Sequence, residues 1–148
     1  MDPFWLILTL HVLGATIWTG GHLVLTFTVL PRALRARDPA ILLDFEQGFE
    51  RIGIPALIVQ VATGLWLAWR LVPDPGQWFS FSDATASAVG VKLLLLAATA
   101  GLALNARFRV IGRLTPETLP LMAWHVRGVT FLSVLFVAAG VYLGNGGF

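Results

Sequence analysis

Four long apolar stretches dominate this chain, and a lipid bilayer is the medium that suits them. They run from about Phe4 to Leu30, Ile52 to Val72, Ala86 to Phe108 and Leu119 to Gly144. A helix crosses the hydrocarbon core with about 20 mostly apolar residues, so each stretch is long enough to span it. Hydrophobic residues make up 57% of the 148 and charged residues 12%, about half the charge of an ordinary soluble domain. So short a chain cannot hide that much apolar surface in one water-facing core, and disorder needs the opposite composition. The first stretch lacks a basic leader, is longer than a signal-peptide core and contains two histidines, so it reads as a span. The expected fold is all-α, an integral membrane antiparallel four-helix bundle in a single domain, residues 1–148.

The links carry the orientation. Arg32, Arg35, Arg37 and Arg51 flank the first link, and Arg107, Arg109 and Arg113 flank the third. Asp74 and Asp83 make the middle link acidic. Positive links stay in the cytoplasm, which puts both termini on the outer, periplasmic side of a bacterial inner membrane. The basic residues therefore set topology and do not form a nucleic-acid patch. Six Trp residues suit anchoring at the membrane–water interfaces. In the first link, Asp38 and Pro39 form a good N-cap and N1 pair. Ile41, Leu42, Phe45, Phe49 and Ile52 then recur at helical spacing opposite Asp44, Glu46, Gln47, Glu50 and Arg51. That pattern predicts a short amphipathic helix on the inner interface, bent at Gly53 and Pro55 into the second span. Trp78, Phe79 and Phe81 of the middle link are expected at the outer interface.

Ionisable residues inside a span are expensive, and by default they mark function. All three histidines lie in spans. His11 and His22 are three turns apart on the first, roughly 20° apart around the axis and ~16 Å along it. Gly14, Ala15, Trp18 and Gly21 lie on or beside their face, and the small residues leave room for a bulky group or for a close helix. His22 and His125 fall at similar inner depths on antiparallel spans. Two imidazoles facing each other across a bundle are what a six-coordinate b-type haem needs. That reading places haem b between spans 1 and 4. Gly128, Val129, Leu132 and Phe136 would line the slot, and Arg127 with Arg51 or Arg107 would meet the propionates. His11 stands alone in the outer half, a candidate ligand for a five-coordinate haem or a metal ion, with Lys92 at a comparable depth. Asn105, Gln60, Thr63, Thr99 and Ser133 are candidates for interhelical hydrogen bonds.

Cysteine is absent, and Met122 is the one methionine besides the first residue. A thiolate site is therefore excluded, and a Met-based Cu(I) path has little to work with. No nucleophile–base pair, paired intramembrane carboxylates or phosphate-binding glycine loop stands out, which argues against hydrolysis and phosphoryl transfer. Chemistry in such a bundle would be redox and would belong to a cofactor, with a membrane or periplasmic redox partner. A homodimer through small residues on span three or four is a further expectation.

The run Leu10-His11-Val12-Leu13-Gly14-Ala15-Thr16-Ile17-Trp18-Thr19-Gly20-Gly21 resembles the first helix of the copper-resistance D (CopD) family, where a His precedes Trp-x-Gly-Gly by about two turns. Val91-Lys92-Leu93-Leu94-Leu95-Leu96, running on to Leu104-Asn105-Ala106-Arg107, is similar to that family's Lys-containing third helix. His11, Trp18, Pro31-Arg32 and Lys92 also match the outline of HemJ-type protoporphyrinogen oxidases, which bind haem b. The stretch from Trp18 to Pro31 is about one turn longer here than in that outline. The first resemblance implies membrane copper handling, with His11 as a copper ligand on the outer side. The second implies an oxidase site at His11 and Lys92. The leading expectation is a b-type haem protein for redox, electron-transfer or haem handling, and the alternative is a copper-binding or copper-transport protein.

Overall fold

A computed structural model describes residues 3–144, and every regular element in it is helical. The first span is not a single α-helix. Helix α1 (Phe4–Val24) passes through a π turn, Leu25–Val29, into α2 (Leu30–Ala36). The cause is Pro31, which has no N–H for the preceding turn and whose ring crowds the carbonyl four residues back. A wide turn just before the proline relieves both faults. The rod ends at Arg37, whose positive φ of 52° lets the Asp38 N–H reach back to the Ala33 carbonyl at 3.1 Å, a helix stop of Schellman type.

Asp38 caps the next helix as its sequence promises, its Oδ1 accepting from the Ala40 N–H at 2.9 Å. The short interfacial helix, however, is not a separate element. Helix α3 runs unbroken over Pro39–Leu71, 33 residues with Pro55 inside. Proline costs an α-helix one hydrogen bond, a loss that membrane helices absorb. Gly53 does not break the helix either: it gives the Phe49 ring the space a Cβ would occupy. At ~1.5 Å per residue α3 is ~50 Å long, so its amphipathic first half extends beyond the hydrocarbon core.

The middle link is pinned down. Asp74 starts a short 3-10 turn, Pro75–Gln77, and the Trp78 Nε1–H donates to the Val72 carbonyl at 2.9 Å. A Cβ at Gly90 would stand 2.8 Å from the Trp78 carbonyl oxygen and 3.2 Å from the Phe81 ring. The link therefore folds onto the start of α4 (Ala84–Asn105), which Asp83 caps. A second π turn, Ala106–Val110, and a 3-10 turn, Ile111–Arg113, end the third span. Helix α5 covers Leu119–Gly144, the bounds expected for the fourth span.

Helix α1 packs mainly on α3, α4 on α5, and α1 on α5. The larger buried cluster is at the end of the bundle that carries the first and third links, where Leu25, Val29, Leu30, Leu42, Val110, Leu119, Met122 and Val126 pack together. A smaller cluster of Ala68, Val72, Ala86 and Val89 closes the end that carries the middle link. Four helices are long and apolar enough to cross a membrane, and large apolar side chains such as Phe27, Phe108, Trp124 and Phe131 point outward. The surroundings these surfaces call for are lipid.

Candidate functional site

The seam between α1 and α3 is built on glycine. A Cβ at Gly14 would stand 2.9 Å from the Ala56 carbonyl oxygen and 3.0 Å from Gln60 Cβ, and one at Gly64 would stand 2.9 Å from His11 Cε1. A Cβ at Gly21 would run into the Phe49 ring. The missing side chains bring the two helices together and open a place for each imidazole of α1.

His11 Nδ1 lies 2.9 Å from the Gln60 carbonyl oxygen and 3.1 Å from Thr63 Oγ1. A carbonyl only accepts, so Nδ1 carries the proton and donates. The Thr63 hydroxyl already donates to the Val59 carbonyl at 2.6 Å, so its oxygen accepts from His11 as well. Nε2 is left unprotonated in the neutral ring, with no partner among the described residues. A ring oriented by a main-chain carbonyl on one nitrogen, with a lone pair on the other, is the arrangement of metal-ligating histidines. His22 repeats it: Nδ1 donates to the Trp18 carbonyl at 2.8 Å, and the ring lies 4.5 Å from the Trp18 ring and 5.7 Å from Phe49, centroid to centroid.

His125 differs. Its Nδ1 lies 2.9 Å from the Leu121 carbonyl oxygen, and its Nε2 lies 3.0 Å from Asn105 Oδ1. An amide oxygen only accepts, so the Nε2 that is bare in His11 is the donor to Asn105 in His125. Both ring nitrogens are thereby occupied. The expected His22–His125 pair across the bundle does not form. The Thr130 hydroxyl meets the His22 carbonyl at 3.2 Å, so His22 is level with Thr130, five residues and ~7.5 Å along α5 from His125. Five residues also turn the helix by about 140°. His125 therefore faces α4, as does Gly128, whose Cβ would stand 3.1 Å from Leu102 Cδ1. The His22 ring faces α3. Nothing in this placement supports a bis-histidine haem slot between spans 1 and 4.

The remaining sequence-predicted residues separate in the same way. Gly14, Trp18 and Gly21 line the α1/α3 seam with His11 and His22. Lys92 enters from α4, with Nζ 3.6 Å from where a Gly140 Cβ would stand. Arg127 lies outside the bundle, 5.9 Å over the Trp124 ring. Arg107 pairs with Glu50, and Met122 belongs to the larger buried cluster. Thr99 and Ser133 bond to their own helices at Leu95 and Val129. Gly64 and Phe49 complete the seam and escaped the sequence reading, because neither a lone glycine nor an aromatic on an amphipathic face signals what it will oppose. The buried Oε1 of Gln60 has no hydrogen-bond partner among the described residues. Among the described residues no group of three or more His, Asp or Glu side chains comes together to hold a metal ion.

The fold and this seam define a four-span all-α membrane protein with two oriented imidazoles along one helix interface. The chain belongs to the copper resistance protein D family, whose model matches residues 43–143. No curated protein and no solved structure matches the chain. The matched segment contains most of α3, then α4 and α5 up to Leu143. His11 and His22 lie before it, so their roles rest on geometry.

Proposed function

We propose that this protein handles copper ions in the bacterial inner membrane, with His11 as the receiving ligand and His22 as a second station on the same seam. The carrying observation is the bare Nε2 of His11, its ring locked by the Gln60 carbonyl, in a member of the copper resistance protein D family. Imidazole suits copper among the first-row metals. That no group of three or more His, Asp or Glu side chains comes together among the described residues favours passage over storage. Copper is therefore cargo in this reading. The clustered arginines at the first and third links support an orientation with the termini and His11 toward the outside.

Cellular copper content, measured by mass spectrometry in cells making the wild type, His11→Ala or His125→Ala, tests the reading. The wild type and His125→Ala change copper content alike, and His11→Ala reverts to the level of cells without the protein. Equal copper content with and without His11 overturns the proposal. So does a Soret band in the purified protein that His22→Ala removes.

A further inference from the structure

On the opposite side of α1 from Phe49, a groove of about 250 Å³ runs between α1 and α5. Leu23, Phe27, Phe131 and Val134 form its apolar walls, and Arg127 is the one charged residue lining it. Thr26 and Thr130 complete the lining and satisfy each other at 2.7 Å, with Thr130 also bonded to Val126 and His22. The groove therefore offers no free hydroxyl to a polar ligand. It is smaller than a typical closed small-molecule site of about 300–1,000 Å³, which suits a chain lying along the helices better than a ligand enclosed by them.

Arg127 supplies the other half. Its guanidinium lies over Trp124, one turn nearer the start of α5. From a position ~12 Å along the helix the side chain thus reaches back toward the inner interface, where lipid phosphates lie. Stacking uses the face of the guanidinium and leaves its N–H edges open for an oxyanion. Among the described residues no carboxylate pairs with Arg127; the ion pair present joins Arg107 to Glu50. An exposed, unpaired cation at headgroup depth, above an apolar groove, complements an anion that carries a hydrocarbon tail.

We propose that this groove holds one anionic phospholipid of the inner leaflet, its phosphate on Arg127 and an acyl chain along Leu23, Phe27, Phe131 and Val134. Thr130 joins the groove lining to the His22 carbonyl, so the bound lipid braces the helix segment that carries His22.

Native mass spectrometry of the detergent-purified full chain tests this, with phosphatidylglycerol and phosphatidylcholine of identical acyl chains in equal amounts. The wild type retains one phosphatidylglycerol per chain, about fivefold over phosphatidylcholine, the ratio expected of one arginine near an anionic surface. Arg127→Gln removes the preference and Arg127→Lys keeps it. Val134→Trp fills the groove and lowers retention with Arg127 in place. Unchanged melting of the lipid-free variants shows that they fold. Equal retention of the two lipids, retention that survives Arg127→Gln, or retention indifferent to Val134→Trp overturns the proposal. Displacement by glycerol phosphate overturns it in favour of a simple anion site. A wild-type dimer dispersed by Val134→Trp overturns it in favour of a second copy of the chain.

Discussion

The two histidine-bearing seams of this bundle use one side chain in opposite ways. Between α1 and α3, His11 and His22 each donate through Nδ1 to a main-chain carbonyl, and Nε2 has no partner among the described residues. Between α4 and α5, His125 also sets Nδ1 against a main-chain carbonyl, but its Nε2 meets Asn105 Oδ1. The first seam is lined by Gly14, Gly21 and Gly64, each with a side chain from across the interface in the space its Cβ would need. The second has one such glycine, Gly128, against a flexible Leu102 terminus. A membrane histidine is thus interhelical glue or an available ligand according to what its second nitrogen meets. The number of histidines does not decide it.

The largest expected effect tests the glycine seam. Gly14→Val forces a side chain against the Ala56 carbonyl, which cannot move aside, and destabilises the fold by about 3 kcal/mol in detergent unfolding measurements. Gly140→Ala on α5, where the new Cβ would make an ordinary 3.6 Å contact with Lys92, leaves the unfolding midpoint unchanged. Equal losses from the two would erase the contrast between seams.

Next comes the contrast in ligand availability. His11→Ala weakens copper binding to the purified protein by more than about tenfold, about 1.4 kcal/mol, in calorimetric titration. His125→Ala leaves copper binding within error. Copper affinity that falls equally in both variants would mean that an occupied Nε2 is no bar to binding, and the distinction drawn between the seams would fail.

Smaller effects sharpen the glue side. Asn105→Ala costs about 0.6 kcal/mol, the average for an interhelical hydrogen bond in a membrane protein, and does not alter copper affinity. Glu50→Gln removes the partner of Arg107, in a pair whose side chains are both well exposed. Such a pair contributes ~0.5 kcal/mol or less, and the loss disappears in high salt.

The spans were legible because hydrocarbon thickness and apolar length are matched quantities, and Leu119–Gly144 shows how closely. Pro55 misled the reading in the other direction. In water a Gly-x-Pro sequence usually marks a helix end, whereas α3 continues through it because a membrane helix with neighbours tolerates the lost bond. Neither π turn was visible, since hydrogen-bond register leaves no trace in the hydrophobic pattern, although Pro31 is the reason for the first. At the site, His11, Gly14, Trp18 and Gly21 were legible as one face of one helix. Gln60 and Thr63 were legible as polar bonding residues, and Thr63 does bond to His11.

By itself, the order of residues along this chain determined a four-helix membrane bundle, the face shared by His11 and His22, and the cap at Asp38. Those follow from quantities counted along one chain: apolar length, helical period and charge. Only the tertiary structure decided which imidazole would meet which helix. Depth can be counted from a helix end, and it paired His22 with His125. The direction in which each ring points depends on how neighbouring helices are rotated about their axes, and close contacts such as Gly14 on Ala56 and Gly64 on His11 mark that rotation.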